Sequence, residues 1–249
     1  MDTLHIATLN IRNIADRWEE RLPLLLADMA ALQPDLIGMQ EVVYPLQQDR
    51  ILGASGVGRY ESVRCWASRP EYGNALLVKS PLTAGEYERL DLDYQRSALR
   101  VIVALPGGSR LAYVVTHLHH LPEHPQMRLE QTEALLAWLE STPVHDAMVV
   151  VGDFNAHPGE PTYARMQAAG FRSSLLEANG VEPDVTWPSG LVAEGMDTDG
   201  EPLCLDYIWL RGAIRANTAM VTFDRPAVGD PTIYPSDHFG LSAHVTVGG

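Results

Sequence analysis

The most constraining feature of this chain is a recurrence of short apolar runs, each meeting a chemistry-bearing polar residue at one end. Thr8-Leu9 runs into Asn10, Gly38-Met39-Gln40 into Glu41, Leu111–Thr116 into His117, and Met148–Val151 into Gly152-Asp153-Phe154-Asn155. Towards the C-terminus the order inverts: Asp206 lies at the start of the run Leu205–Leu210, and Ser236-Asp237-His238 precedes Gly240–Val245. Runs of this length and composition read as strands. If the last two strands run opposite to the first four, all these polar groups meet at one edge of the sheets. That is where rigid scaffolds present active sites.

Further strands are predicted at Leu4–Leu9, Leu36–Gln40, Ala75–Lys79, Leu99–Leu105 and Ala147–Val151. One helix is expected to start near Asp16, with Glu19 as its capping-box partner and Leu22, Leu25, Met29 and Leu32 on one face. A second covers Gln126–Glu140, with Leu129, Leu135, Leu136 and Leu139 inward, and a third covers Pro161–Ala169, followed by Gly170. Gly53–Arg59 and Asp184–Pro202 read as loops, and the second is long enough to be functional or mobile. Neither separates two self-sufficient cores, so residues 1–249 are read as one domain. Short strands with helices between and around them indicate a two-sheet α/β sandwich, with a doubly wound parallel sheet as the competing arrangement.

Composition narrows the function classes. Hydrophobic residues make up 46% and charged residues 20%, an ordinary globular balance that excludes disorder as the main state. Against 18 basic residues stand 32 acidic ones, a net charge of −14. An acidic surface repels phosphate backbones, so a sequence-independent grip on duplex DNA is disfavoured, while a local basic pocket stays open. No apolar run approaches the roughly 20 residues that span a bilayer. The N-terminus lacks a basic stretch followed by an apolar one, and the expectation is a cytoplasmic protein with no membrane contact. Cys65 and Cys204 are too few for a disulfide framework or a cysteine-based zinc site and read as packed thiols.

Glu41, Asp153 and Asp237 with Asn10 and Asn155 form an oxygen-rich set that suits Mg²⁺ or Mn²⁺ better than zinc. His238 and Asp206 suggest a carboxylate–imidazole pair, in which the acid orients the ring and favours its charged form. A hard cation, an oriented imidazole and a carboxylate base are what hydrolysis of a phosphate ester requires. Singly, each residue has an ordinary explanation. Asp153 and Asn155 could cap a turn, Glu41 could be a solvated strand end, His117 could be structural, and Asp237-His238 could be turn chemistry after Pro235. Their joint occurrence favours a site. The stretch His117, His119, His120 and His124 is open to a transition-metal reading, but a loop with only His117 in the site is preferred. Trp187, beside Pro188 and Ser189, could stack on a substrate base, cover a lipid, or plug its own loop.

The segments Thr8-Leu9-Asn10, Pro34–Val42, Thr116-His117-Leu118, Gly152-Asp153-Phe154-Asn155, Leu205-Asp206-Tyr207-Ile208 and Ser236-Asp237-His238 occur in that order. Together they resemble the endonuclease/exonuclease/phosphatase superfamily, which includes deoxyribonuclease I-like nucleases, across residues 4 to 245. The resemblance implies a four-layered α/β sandwich: two mixed β-sheets packed face to face and flanked by helices. It implies that Glu41 is the principal metal ligand, with Asn10 beside it and Asp237 near the metal. Asp153 would orient or deprotonate the attacking water, and Asn155 would hold the phosphate or the water. His238 would be the essential histidine, with Asp206 as its carboxylate partner, and His117 the second histidine at the scissile phosphate. Arg96 would contact substrate phosphate, with Arg100 as the neighbouring candidate, and Asn74 in Tyr72-Gly73-Asn74 would do likewise.

The implied cofactor is Mg²⁺ or Mn²⁺. The implied activity is hydrolysis of a phosphodiester or phosphomonoester by in-line attack of an activated water. The acidic charge and the absence of a Lys/Arg cluster weigh against a DNA-repair nuclease. Two alternatives stay open: a nuclease acting on single-stranded RNA or DNA ends, and a catalytically silent binding module with the same fold. The protein is expected to be a monomer.

Overall fold

Side-chain alternation along the strands decides what meets what in this protein. The computed structural model describes residues 1–55, 59–66, 72–196 and 200–248. In chain order its elements begin β1 (Asp2–Asn10), α1 (Trp18–Leu32), β2 (Leu36–Val43), α2 (Gln48–Ala54), β3 (Tyr60–Trp66), β4 (Tyr72–Lys79) and β5 (Ala84–Asp91). They continue with β6 (Ser97–Ala104), β7 (Arg110–His117), α3 (Pro125–Leu139), β8 (Ala147–Asp153) and α4 (Pro161–Ala168). The last are β9 (Arg172–Ser173), α5 (Ser174–Asn179), β10 (Asp206–Gly212), β11 (Ile214–Thr222) and β12 (Gly240–Val247).

The strands form two six-stranded sheets, ordered β11-β12-β1-β2-β4-β3 and β5-β6-β7-β8-β10-β9. Within them β1 runs parallel to β2 and β7 parallel to β8, whereas β12 opposes β1 and β10 opposes β8. Both sheets are therefore mixed, and the doubly wound parallel alternative is not what the chain adopts. The two reversals bring the start of β10 and the approach to β12 to the edge where β1, β2, β7 and β8 end.

Between the sheets, Leu4, Ile6 and Leu36 pack against Tyr113, Val115, Val149 and Val151. On the outer face of the first sheet, Ala7, Leu9 and Ile37 meet Leu25 and Met29 of α1 and Leu52 of α2. On the outer face of the second, Val114, Val150 and Trp209 meet Leu135 and Leu139 of α3 and Met166 of α4. Helices on both outer faces complete the four layers. Burying each such aliphatic side chain contributes roughly 1.5–3 kcal/mol. The sheets come closest at Gly38, where an added Cβ would lie 2.5 Å from Cγ2 of Val151 and 2.9 Å from Cγ2 of Val115. One hydrogen bond also crosses this layer, from the Tyr113 hydroxyl to the Ala7 carbonyl at 2.9 Å.

Several details differ from the sequence expectations. Helix α1 begins at Trp18, preceded by a left-handed Arg17, and no side chain caps it. The expected cap, Asp16, instead accepts a hydrogen bond from Arg12 Nε at 2.7 Å. Along α1 the buried positions are Arg21, Leu25 and Met29, with Leu22 and Leu32 half-buried. Leu129 is likewise half-buried, because Arg128, Gln131 and Thr132 occupy the inner face of the first turns of α3. Strands β3, β5, β9 and β11 and helices α2 and α5 were not anticipated. Gly53 belongs to α2, while residues 56–58 and 197–199 of the two expected loops lie outside the described residues. The rest of the longer loop is tied down: Trp187 and Leu203 exchange backbone hydrogen bonds, and the Ser189 N–H donates to the Asp237 carbonyl at 2.8 Å. Among the described residues no helix is long and apolar enough to cross a membrane.

A Gly38→Ala substitution is expected to lower the free energy of unfolding by about 1–3 kcal/mol, the usual cost of overpacking a filled core. Urea unfolding followed by circular dichroism measures this; an unshifted midpoint would mean that the sheets separate at little cost.

Candidate active site

Strands β7, β8 and β10 lie side by side, and their register assembles the centre of the site. Asp153, the last residue of β8, pairs with His117 on one side and with Asp206 on the other. All three continue the alternation of Val115, Val151 and Ile208, which face the first sheet. The preceding Gly152 has φ 142°, and a Cβ there would fall 1.9 Å from the Thr116 carbonyl oxygen, so only glycine lets β8 deliver Asp153.

Asp153 and Asp206 are each 1% exposed, and neighbouring like charges repel strongly where water is excluded. His238 answers that repulsion: its Nδ1 lies 2.9 Å from Asp206 Oδ2, and its Nε2 lies 3.6 Å from Asp153 Oδ2. Burial opposes the charged ring, but the carboxylates of Asp206, Asp153 and Asp237 prevail and raise its pKa above the ordinary imidazole value. Burial raises Asp153, against the pull of His238 and with the help of Asp206. His117 behaves differently. Burial, with Arg96, His238 and His120 nearby, pushes it well down, so it is a neutral ring whose Nε2 sits 3.4 Å from Asp153 Oδ2.

Glu41 reaches the same edge through a backbone irregularity. The register of β2 against β4 shifts between Met39 and Val42, and Glu41 takes φ 58°. Simple alternation would send Glu41 to the α1 side with Met39; a bulge re-aims a side chain in this way. Glu41 Oε1 accepts from Asn10 Nδ2 at 3.2 Å, and Oε2 accepts from Asn13 Nδ2 at 2.6 Å. Asn10 Nδ2 also donates to Asp153 Oδ2 at 3.1 Å, so one amide joins the two sheets. Asn155, at φ 49°, donates its backbone N–H to Asp153 Oδ1 at 2.9 Å and its Nδ2 to the Leu118 carbonyl at 3.1 Å.

The side chains that hold this network in place escaped the sequence reading. Arg21 is fully buried on α1. Its Nε donates to the Asp16 carbonyl at 2.7 Å, its Nη1 to Ile11 at 3.0 Å and Pro235 at 2.9 Å, and its Nη2 to Arg12 at 3.0 Å and Ala15 at 2.7 Å. Burial pulls its pKa down to about 10, which leaves it charged at neutral pH. One guanidinium thus gathers the loop after β1 and the segment before Ser236. Ser236 Oγ then donates to the Asn10 carbonyl at 2.6 Å, and Thr186 Oγ1 accepts the N–H groups of Leu205 and Asp206 at 2.9 and 3.1 Å. Asp237 points its Oδ2 towards Arg12 Nη1 at 3.6 Å. An apolar-face count cannot find Arg21, because its partners are carbonyls of irregular backbone.

Beside the network opens a cleft of about 210 Å³ lined by Glu41, Asn74, Gln95, Arg96, Ser97 and His117, among others. Asn74 is held by its Nδ2 on the Ser97 carbonyl at 2.8 Å, and Arg96 Nη2 lies 3.2 Å from His120 Nδ1. Arg100, the other arginine considered, is buried elsewhere: it stacks 4.3 Å over Trp138 and pairs with Glu88. His119 and His124 pair with each other at 3.1 Å. Trp187 is not among the lining residues, and its ring packs against Gly200, anchoring its own loop.

Residues 7–238 match the profile of the Endonuclease/Exonuclease/phosphatase family. Nocturnin from Xenopus laevis is 28% identical over 255 residues, covering 90% of this chain and 64% of that protein. The chain thus spans less than two thirds of the length of this curated relative. The structure of the human Nocturnin catalytic domain with bound sulfate anion matches with a TM-score of 0.79 at 23% identity, over 99% of this chain and 95% of that one. D. rerio TDP2 complexed with single strand DNA product matches with a TM-score of 0.80 at 18% identity, over 99% and 100% of the two chains. These two structural likenesses show the shared fold.

Replacing Arg21 by lysine is expected to lower stability by about 2–4 kcal/mol, because a single ammonium cannot serve carbonyls of both segments and leaves buried acceptors unpaired. Urea denaturation of Arg21→Lys tests this, and a wild-type midpoint would show that the loops hold without the guanidinium.

Proposed function

The chain belongs to the endonuclease/exonuclease/phosphatase family, and from that premise we propose that it hydrolyses a phosphate ester with a water activated by Asp153. The observation that carries this reading is the buried line Asp206–His238–Asp153, standing at the edge of a cleft that also exposes Glu41 and Arg96. A buried charged imidazole between two acids costs stability, and groups of that kind concentrate where proton chemistry is done. A silent binding module has no use for that expense.

Each residue then has a task that follows from its surroundings. Asp153, raised by burial, is a better base than an ordinary carboxylate and takes the proton of the attacking water. The Asn155 N–H on its Oδ1 and the Asn10 amide on its Oδ2 fix the carboxylate's orientation. His238, kept charged by Asp206, donates a hydrogen bond to the oxygen that gathers negative charge in the transition state. His117 is neutral and acts through hydrogen bonding rather than charge. Arg96 and Asn74, both at the cleft wall, are placed to bind the phosphoryl oxygens.

Glu41 fits a hard divalent cation such as Mg²⁺ or Mn²⁺. Its hydrogen-bond donors, Asn10 and Asn13, are neutral amides that leave its charge in place, and it borders the cleft. Asp153, Asp206 and His238 also offer ligand atoms within 4.8 Å of one another. A coordinating imidazole must be deprotonated, however, and the surrounding carboxylates keep the proton on His238. Asn10 presents its Nδ2 to both Glu41 and Asp153, so we assign it to holding the ligand carboxylate, and Asp237 to holding Arg12 near the site. When bound at Glu41, the cation supplies Lewis-acid polarisation of the phosphoryl oxygen.

The substrate is a phosphodiester or phosphomonoester small enough to enter an edge cleft. The nuclease reading, on single-stranded ends, gains support from the single strand DNA product held by D. rerio TDP2. The sulfate in human Nocturnin fits any phosphate ester, since it resembles phosphate in shape and charge. The net charge of −14 weighs against duplex DNA in either case.

Asp153→Asn and His238→Ala are each expected to reduce kcat on an aryl phosphodiester by about 10²–10⁴-fold, the range for loss of a general acid–base group, with unchanged circular dichroism. Near-normal turnover in either variant would falsify the assignment. Glu41→Gln is expected to raise the Mg²⁺ concentration needed for half-maximal activity, measured by titrating chelator-treated protein; an unchanged requirement would move the cation elsewhere.

A further inference from the structure

A second histidine pair lies on the outer face of the first sheet, away from the catalytic edge. The register of β1 against β12 sets His5 opposite His244. Their rings stack with centroids 4.2 Å apart and planes 17° apart. Leu4, Ile6, Ala243 and Val245 fill the inter-sheet core, so alternation turns His5, Ser242 and His244 to the other side. Helix α1 stops at Leu32, and a groove of about 350 Å³ opens beyond it, lined by His5, Leu32, Thr218, Met220, Ser242 and His244 among others. His5 precedes Asn10 by five residues along β1, which places it about 17 Å from the catalytic edge at the usual rise per strand residue.

We propose that His5 and His244 form an accessory metal site, taking a borderline divalent cation of the Zn²⁺, Cu²⁺ or Ni²⁺ class between the cross-strand imidazoles. Imidazole nitrogen suits these ions, whereas Mg²⁺ and Ca²⁺ favour oxygen cages. One ring N–H of His5 is directed at the Leu32 carbonyl, which leaves the other ring nitrogen with its lone pair. A backbone carbonyl on the far nitrogen is the usual support of a metal-bound histidine. Burial and the facing His244 lower the proton affinity of His5, keeping it in the neutral form that coordinates. Asp35 adds negative potential beside the pair, accepting the His5 backbone N–H at 2.8 Å. The groove leaves room for waters in the remaining coordination positions, with the hydroxyls of Ser242 and Thr218 at its wall. A cation there would clamp β1 to β12, the strand that follows His238.

The test is calorimetric titration of the full chain with Zn²⁺ in the presence of excess Mg²⁺. We expect one Zn²⁺ to bind to the wild type and the affinity to fall about 100-fold in His244→Gln and in His5→Gln, as loss of one of two ligands requires. His244 is exposed, so its replacement leaves the fold intact. Both variants should keep wild-type turnover of the aryl phosphodiester. Electron paramagnetic resonance of the Cu²⁺-loaded wild type should show two nitrogen ligands, reduced to one in His244→Gln. Absence of Zn²⁺ binding overturns the proposal. So does binding that survives both substitutions, or binding that is lost in His119→Gln instead, which would place the ion on the His119–His124 pair.

Discussion

Asp153 on β8 and Asp206 on β10 face each other in register inside a layer that excludes water, and the site is arranged around that conflict. Two buried carboxylates cannot stand side by side as bare anions. The protonated His238 resolves the conflict, and its position then becomes a structural requirement. Because His238 comes from a loop, the loop must be pinned. Ser236 bonds to the Asn10 carbonyl, Ser189 bonds to the backbone of Ser236 and Asp237, and Arg21 holds the Pro235 carbonyl together with the loop after β1. Thr186 performs the same service for the backbone of Asp206. A local electrostatic problem thus recruits segments from both sheets, and the hydrogen bonds that solve it also fix Asn10 and Glu41.

Strands buried on both faces were legible in the sequence, because runs such as Leu111–Thr116 and Ala147–Val151 carry nothing but a strand signal. Strand β5 escaped because its Gly85-Glu86-Tyr87-Glu88 stretch is exposed, and an edge strand earns its hydrogen bonds from a neighbour rather than from an apolar pattern. The site residues at strand ends, Asn10, His117, Asp153 and Asp206, were visible for the same reason as their strands. Glu41 was visible as a residue but its aim was not, since nothing in Gly38-Met39-Gln40-Glu41 announces a bulge. Asn13, Thr186 and Arg21 were hidden because their partners are a distant side chain or backbone in loops that only the finished fold brings together. Trp187 drew attention for its chemistry, yet packing on Gly200 explains it.

Backbone strain collects at the same place. Arg12, Asn13, Glu41 and Asn155 all take left-handed conformations, with φ of 55°, 34°, 58° and 49°. Such residues cost of the order of 1–3 kcal/mol each and persist only where the surroundings over-determine them. Here the surroundings are known: Arg21 over the loop of Arg12 and Asn13, the β2–β4 register around Glu41, and the Asp153 carboxylate beneath Asn155. Two filled sheets behind the site, in contact through Gly38 and Tyr113, supply the stiffness that keeps these conformations from relaxing.

The insertion of β12 between β1 and β11 also sets a timetable. Strand β1 is synthesised first, yet one of its two neighbours emerges from the ribosome last, after every other part of the catalytic edge. Until then the nascent chain holds Glu41, Asp153 and Asp206 without His238, and the two acids have no shared proton donor to bring them together. A half-made chain, emerging beside the messenger and transfer RNAs of its own translation, is therefore chemically inert by construction. Competence arrives in a single step, with the closing strand.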